Sequence, residues 1–208
     1  MNDNRRSRWW PAKVIVGLTG NIATGKSVIL RLAAAKGALT LDADKIVHEI
    51  MDSDADLQAA IAATFGSHVR RPDGRIDRPA LGQIVFSDPQ ALRQLEQMIH
   101  PAVRVELWRR VAASPARVVF VEAIKLLEGS LARECDQVWV THCPPAMQIE
   151  RLMSGRGMDE ATAVQRVQVQ SPQAEKLAQA DVAIDTSGSL AETEAQFTAA
   201  WRSVMGNS

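Results

Sequence analysis

Gly20-Asn21-Ile22-Ala23-Thr24-Gly25-Lys26-Ser27 satisfies the pattern Gly, four residues, Gly-Lys-Ser/Thr, and constrains the chain more than any other segment. It lies between Val14-Ile15-Val16-Gly17-Leu18, a β-branched run, and Val28 to Lys36, where Val28, Ile29, Leu32 and Ala33 fall at helical spacing. In a strand, glycine loop and helix, successive backbone N–H groups can turn inward around phosphate oxygens while the helix presents its positive end. Lys26 adds a point charge, Ser27 offers a hydroxyl for Mg²⁺, and the predicted nucleotide-binding span runs from Gly20 through Val28. A plain glycine turn between strand and helix leaves Lys26 and Ser27 unexplained. The same loop serves GTPases, ATPases, transport motors and small-molecule kinases, so the reaction must be read elsewhere.

Gly37 stops the first helix, and Ala38 to Leu41 predicts a second strand with Asp42-Ala43-Asp44 at its far end. Between Lys45 and Ala113 no comparable strand appears. Ile46 to Met51, Asp56 to Phe65, Pro79 to Phe86 and Pro89 to Ala113 read as helices, interrupted by the turn Arg71-Pro72-Asp73-Gly74. His100-Pro101 is expected to divide the last of these, because proline disfavours helical geometry at the residue before it. Strand signals return at Arg117 to Val121, Gln137 to Thr141 and Asp181 to Asp185, and a final amphipathic helix covers Leu190 to Val204. Five strands alternating with helices predict an α/β fold with a mostly parallel sheet covered on both faces.

The 208 residues suffice for one such domain, 14–206, with a helical insertion at about 45–113. Lys plus Arg balances Asp plus Glu at 24 each, which removes any whole-molecule electrostatic case for nucleic acid or an anionic membrane as partner. The longest apolar runs fall far short of the ~20 residues that cross a bilayer. Residues 1–13 carry Arg5, Arg6, Arg8, Trp9 and Trp10 but no apolar stretch before a cleavage site, so they read as a loose tail rather than an export signal. Cys135 and Cys143 form neither a disulfide framework nor a repeated zinc spacing, and free thiols fit the cytoplasm. No obligatory protein partner is indicated.

Active groups in open α/β sheets gather at the carboxyl ends of the strands. Residues two apart in an extended segment point the same way, so Asp42 and Asp44 are expected to share the site, with Asp44 the candidate base. The competing reading of Asp42 is a cap on the following helix.

Several segments together carry a family resemblance. Gly17-Leu18-Thr19-Gly20 with Gly25-Lys26-Ser27, then Asp42-Ala43-Asp44 with His48, resemble the start of dephospho-CoA kinases. Asp73-Gly74-Arg75-Ile76-Asp77-Arg78, Leu81, Val85-Phe86, Leu95-Glu96 and His100-Pro101 resemble that family's central pattern. Arg151-Leu152, Arg156, Arg166, Gln170, Glu175-Lys176, Ala180-Asp181 and Gly188 are spaced like its lid and last strand. The chain departs from the family at Glu122-Ala123-Ile124-Lys125-Leu126-Leu127-Glu128-Gly129, where a Pro-Leu-Leu-aromatic-Glu run is common. It departs again around Asp185-Thr186-Ser187-Gly188, where an Asn is usual, and at Asn21, where a second loop glycine is frequent.

The resemblance implies a three-layer P-loop kinase fold with five strands, an acceptor-binding helical insertion and a lid at about 150–172. It implies transfer of the γ-phosphoryl group of ATP to the ribose 3′-hydroxyl of dephospho-CoA, with Mg²⁺ held partly by Ser27. Lys26, Asp44 and Arg156 are then the expected catalytic residues, with Arg156 closing over the phosphates. Asp42, Asp44, Arg75, Arg78 and His100 are the expected acceptor-binding residues. The rival readings are another small-molecule or nucleoside monophosphate kinase and a nucleotide-binding switch without an acceptor.

Overall fold

Five short strands, the central ones nearly continuous apolar runs, build one sheet in the computed structural model, which describes Trp10 and residues 12–206. The strands are β1 (Val14–Thr19), β2 (Leu39–Asp42), β3 (Val118–Glu122), β4 (Gln137–His142) and β5 (Val182–Asp185), in the order β2-β3-β1-β4-β5. β1 pairs in parallel with β3 (Val14 beside Val118) and with β4 (Val16 beside Gln137), and β4 pairs in parallel with β5. The predicted strands are all present within a residue or two of their expected bounds. The expected tail, residues 1–13, lies mostly outside the described residues; at its end Lys13 Nζ donates to Ala116 O at 2.8 Å.

Parallel strands must be buried on both faces because their crossovers pack on the sheet. Ile15, Val119, Val121, Val138 and Val140 are buried on one face. Val16, Leu18, Phe120, Trp139 and Ile184 on the other meet α1 (Lys26–Ala35) and α9 (Leu190–Gly206) through Ile29, Ala33, Phe197 and Val204. Trp139 is the hub of that layer. Its ring meets Phe120 and Phe197 edge to face at 5.2 and 5.9 Å, and its Nε1 donates to Gln137 Oε1 at 2.9 Å, so a large apolar body is buried with its polar tip satisfied. Carboxylates pin the strand starts: Asp136 accepts from Ile15 N at 2.7 Å and Asp181 from Val138 N at 2.8 Å.

The chain divides into two compact units, one containing the sheet and the other spanning Asp42–Ser114. The second unit holds α2 (Ala43–Ser53), α3 (Ala55–Phe65), α4 (Arg78–Ser87) and α5 (Pro89–Ala113). An aspartate caps each of these helices. Asp42, Asp54, Asp77 and Asp88 accept from backbone N–H groups of Lys45, Leu57, Ala80 and Gln90, each such cap typically stabilising by ~1 kcal/mol. The Arg71–Gly74 turn closes with Gly74 N donating to Arg71 O, and its flanks form one antiparallel bridge between Arg70 and Ile76.

Two local expectations are overturned. α5 runs unbroken from Pro89 to Ala113 with Pro101 inside it. Leu95, Ile99, Val103, Leu107 and Val111 recur every fourth residue and are all buried, so burial on both sides of Pro101 outweighs the one backbone hydrogen bond that proline removes. The second correction concerns Asp44. β2 ends at Asp42 and α2 begins at Ala43, so Asp42 and Asp44 do not alternate along one extended segment. Asp42 caps the helix and Asp44 stands in its first turn.

Candidate active site

Backbone conformation builds the loop after β1. Gly20 has φ 149°, and a Cβ there would stand 2.5 Å from both the carbonyl oxygen and the hydroxyl of Thr141 on β4. Only glycine lets the loop turn this close to the neighbouring strand. Gly25 has φ 87° as the residue before α1, which any side chain would strain. Thr24, fully buried, bridges the loop to the sheet with its hydroxyl 2.8 Å from both Asn21 O and Thr141 Oγ1. Ala23 has φ 58°, the only positive value among described non-glycine residues.

Lys26 and Ser27 open α1, where the first N–H groups of any helix lack intrahelical partners. Lys26 is 8% exposed, and its Nζ donates to Gly20 O at 2.9 Å and Asn21 O at 3.2 Å. Glu122 Oε1, at the carboxyl end of β3 beside β1, lies 3.9 Å from the same ammonium. The lysine charge is therefore held inside the loop by two carbonyl dipoles and a carboxylate. Ser27 is exposed and lines a cavity of about 370 Å³ together with Ala23, Gly25, Val28 and Arg156.

Arg151 and Thr186 complete the wall of this cavity. Arg151, on α6 (Pro145–Arg156), donates through Nη1 to Ala23 O at 3.2 Å and to Thr186 Oγ1 at 3.1 Å, and through Nη2 to Thr186 O at 2.5 Å. Thr186 Oγ1 also lies 3.0 Å from Thr24 O. The turn after β5, where the sequence departs from the family pattern, is thus joined to the loop. Cys143 packs into this corner, and burial pushes its thiol above the ordinary range. Cys135 is fully buried, and both cysteines are free.

The structure gathers Gly20 to Val28 and Arg156 of the expected residues around one cavity or its loop. Arg156 is exposed at the end of α6, before Gly157, whose φ of 63° ends the helix. The other expected residues belong to the helical unit. Asp44 is exposed on α2, Arg75 is exposed in the turn before α4, and His100 is exposed on α5. Arg78 donates to Asp52 Oδ2 at 2.5 Å and to His48 O at 3.1 Å, an internal pairing the sequence did not suggest.

Sequence reading missed Glu122, Arg151 and Thr186. The position of Glu122 at the end of a strand beside β1 was an available signal, since site residues collect at strand carboxyl ends. The resemblance marked Arg151 only as part of the lid pattern and Thr186 only within a departure from it, because each acts through a contact between segments about 35 residues apart or more.

Comparison with known proteins agrees with this architecture. The sequence pattern of a family described as dephospho-CoA kinase matches residues 14–192. A dephospho-CoA kinase of Symbiobacterium thermophilum is 42% identical over 197 residues, covering 92% of this chain and 82% of that protein. A solved Thermus thermophilus structure superposes with a TM-score of 0.79 at 28% identity, covering 92% and 97% of the two chains. The structure of a dephospho-CoA kinase from Campylobacter jejuni gives a TM-score of 0.59 at 27% identity, covering 93% and 98%.

Proposed function

Since the chain belongs to the dephospho-CoA kinase family, we propose that it transfers the γ-phosphoryl group of ATP to the ribose 3′-hydroxyl of dephospho-CoA, giving coenzyme A. The observation that carries this reading beyond family membership is the buried Lys26 ammonium, fixed inside a glycine loop at the start of a helix. Phosphoryl transfer depends mainly on positioning and charge stabilisation, and a lysine charge held in place by the loop carbonyls supports both.

The loop from Gly20 to Val28 would receive the phosphates on its backbone N–H groups, apart from that of Ile22, and on the positive end of α1. Lys26 would answer the charge on the β- and γ-phosphates. A divalent cation, Mg²⁺ by its preference for oxygen ligands, fits an exposed hydroxyl at this place, and Ser27 Oγ would supply one ligand. When bound it neutralises phosphate charge. Arg156, exposed at the rim of the cavity, would close over the phosphates and help exclude water.

Asp44 would orient the acceptor hydroxyl or take its proton, with Asp42, Arg75, Arg78 and His100 on the acceptor side. Asp42 would serve mainly by capping α2 and so fixing Asp44 in the first turn. Arg78 would act through Asp52 and the His48 carbonyl unless the acceptor displaces them. The free, buried cysteines suit a reducing compartment, and the cytoplasm is the proposed location.

The test is a coupled assay for ADP with dephospho-CoA, nucleoside monophosphates and shikimate as separate acceptors. Release dependent on dephospho-CoA, with 3′-phosphorylation confirmed by mass, is expected. Turnover of another acceptor with dephospho-CoA untouched would overturn the substrate.

A further inference from the structure

The start of the phosphate loop makes two contacts that the roles above do not use. Gln170 Oε1 accepts from Ile22 N at 2.7 Å, and Asn21 Nδ2 donates to Ser171 O at 3.3 Å. Adjacent residues of the loop are thus tied to adjacent residues just beyond α7 (Glu160–Gln168), with the loop donating in both ties.

Both side chains have fixed orientations. Gln170 Nε2 donates to Arg166 O at 2.9 Å, which turns the carbonyl end of the amide toward Ile22. Ser171 O can only accept, so the NH₂ group of Asn21 must face it. Asn21 is 6% exposed, and its Oδ1 is then left buried without a hydrogen-bond partner among the described residues. A buried acceptor without a donor is unfavourable, so the tie to Ser171 is kept against a local cost.

The ties lie directly before a strained residue. Ala23 holds its φ of 58° directly after Ile22, and such conformations persist only where the surroundings fix them. Arg151 holds the carbonyl of Ala23 from one side, and Gln170 holds the amide of Ile22 from the other. A glutamine suits this place because its carbonyl satisfies the amide without bringing negative charge to a phosphate site.

We propose that Gln170 is a positioning residue for phosphoryl transfer: paired with Asn21, it pins the segment after α7 to the loop and fixes the backbone of residues 21–23 against the transferring group. This rests on the reading that the loop holds the phosphates of ATP. Lys26 and the start of α1 would still bind the nucleotide without the pin, so its loss is felt in kcat more than in the KM for ATP.

Two substitutions at one position test this against a merely structural role. Gln170→Ala removes the acceptor, and kcat is expected to fall about threefold to tenfold, the size of one net hydrogen bond, with the KM for ATP little changed. Gln170→Glu keeps an acceptor oxygen but adds a charge that repels phosphate, so the KM for ATP should rise while kcat at saturation stays closer to wild type. A structural role would lower melting temperature and shift both parameters alike in both variants. The double variant Asn21→Gly/Gln170→Ala should lose no more kcat than the more damaged single variant, because the pin between the two segments needs both ties and fails when either is lost.

Amide exchange at residues 21–23 reads the pin without turnover, and Gln170→Ala should speed it while Gln170→Glu does not. Equal exchange in wild type and both variants, or an unchanged kcat in Gln170→Ala, overturns the proposal. A wild-type enzyme inactive on dephospho-CoA overturns the substrate instead and leaves the exchange result standing.

Discussion

The sheet unit and the helical unit carry their expected functional groups in opposite ways. In the sheet unit the loop is held from within: Lys26, Asn21 and Thr24 are buried, and the ammonium already has its hydrogen bonds. In the helical unit Asp44, Arg75 and His100 are exposed side chains on helix or turn surfaces, while the buried residues serve packing. A phosphate site needs dipoles fixed before the reaction, because reorganising them during it costs activation energy. On the proposed reading Asp44, Arg75 and His100 receive an acceptor, and such side chains can stay solvated until it binds.

The largest effect that would break this comparison is expected at Asp44. Asp44→Asn keeps the size and hydrogen bonding of the side chain but removes its proton-accepting charge, so kcat should fall by ~10²–10⁴ with ATP affinity little changed. Weakened Mg²⁺ binding in the same variant, with extra Mg²⁺ restoring part of the rate, would make Asp44 a metal ligand. Unchanged kcat would reduce it to a residue of the first helical turn.

Next comes Lys26. Lys26→Ala should lower kcat by ~10²–10³, the size seen when one preorganised donor to a developing charge is removed. The fold should persist, with circular dichroism and melting close to wild type. Near-normal turnover would show that the buried ammonium is structural and would erase the contrast between the units.

Leu107→Ala sharpens the comparison from the packing side. Leu107 is fully buried in the α5 seam, and its truncation should destabilise by ~2–5 kcal/mol. Hydrogen exchange should rise first within Asp42–Ser114 if that seam holds the helical unit together. A loss of protection spread evenly over the sheet strands would contradict this.

The smallest effect concerns Glu106 on α5. Hydrogen bonds from Arg109 and Arg110 hold its carboxyl down from 4.5 to about 2, and Arg110 also pairs with Glu49. A lowered pKa in the folded state contributes stability that is fully present above the unfolded value and is lost as pH falls through the folded one. Melting temperature should therefore decline between about pH 4.5 and about pH 2, and Glu106→Gln should flatten that part of the curve. An identical acid limb in the variant would assign the decline to other carboxylates.

Much of the site was legible because its chemistry is local in the chain. Gly20 to Ser27 announces a phosphate loop through residue types at fixed spacing, and the structure gives each glycine the conformation that spacing requires. As a cap the sequence reading weighed Asp42, and the structure adds Asp54, Asp77 and Asp88. Asp44 was placed in an extended segment because β2 has no marked stop, and only the cap at Asp42 moves it into a helix. Pro101 was read as a break because the rule for proline is local, whereas the buried seam that overrides it needs α2, α3 and α4 in place.

The sequence alone determined that this chain builds a parallel sheet with a phosphate loop after its first strand, since strand periodicity and turn chemistry act between near neighbours. Tertiary structure alone decided that Glu122 faces Lys26, that Arg151 holds Ala23 and Thr186, and that Gln170 reaches Ile22. The partners in those contacts stand from about 35 to about 150 residues apart, and only the crossovers of the sheet and the return of α6 and α7 bring them together.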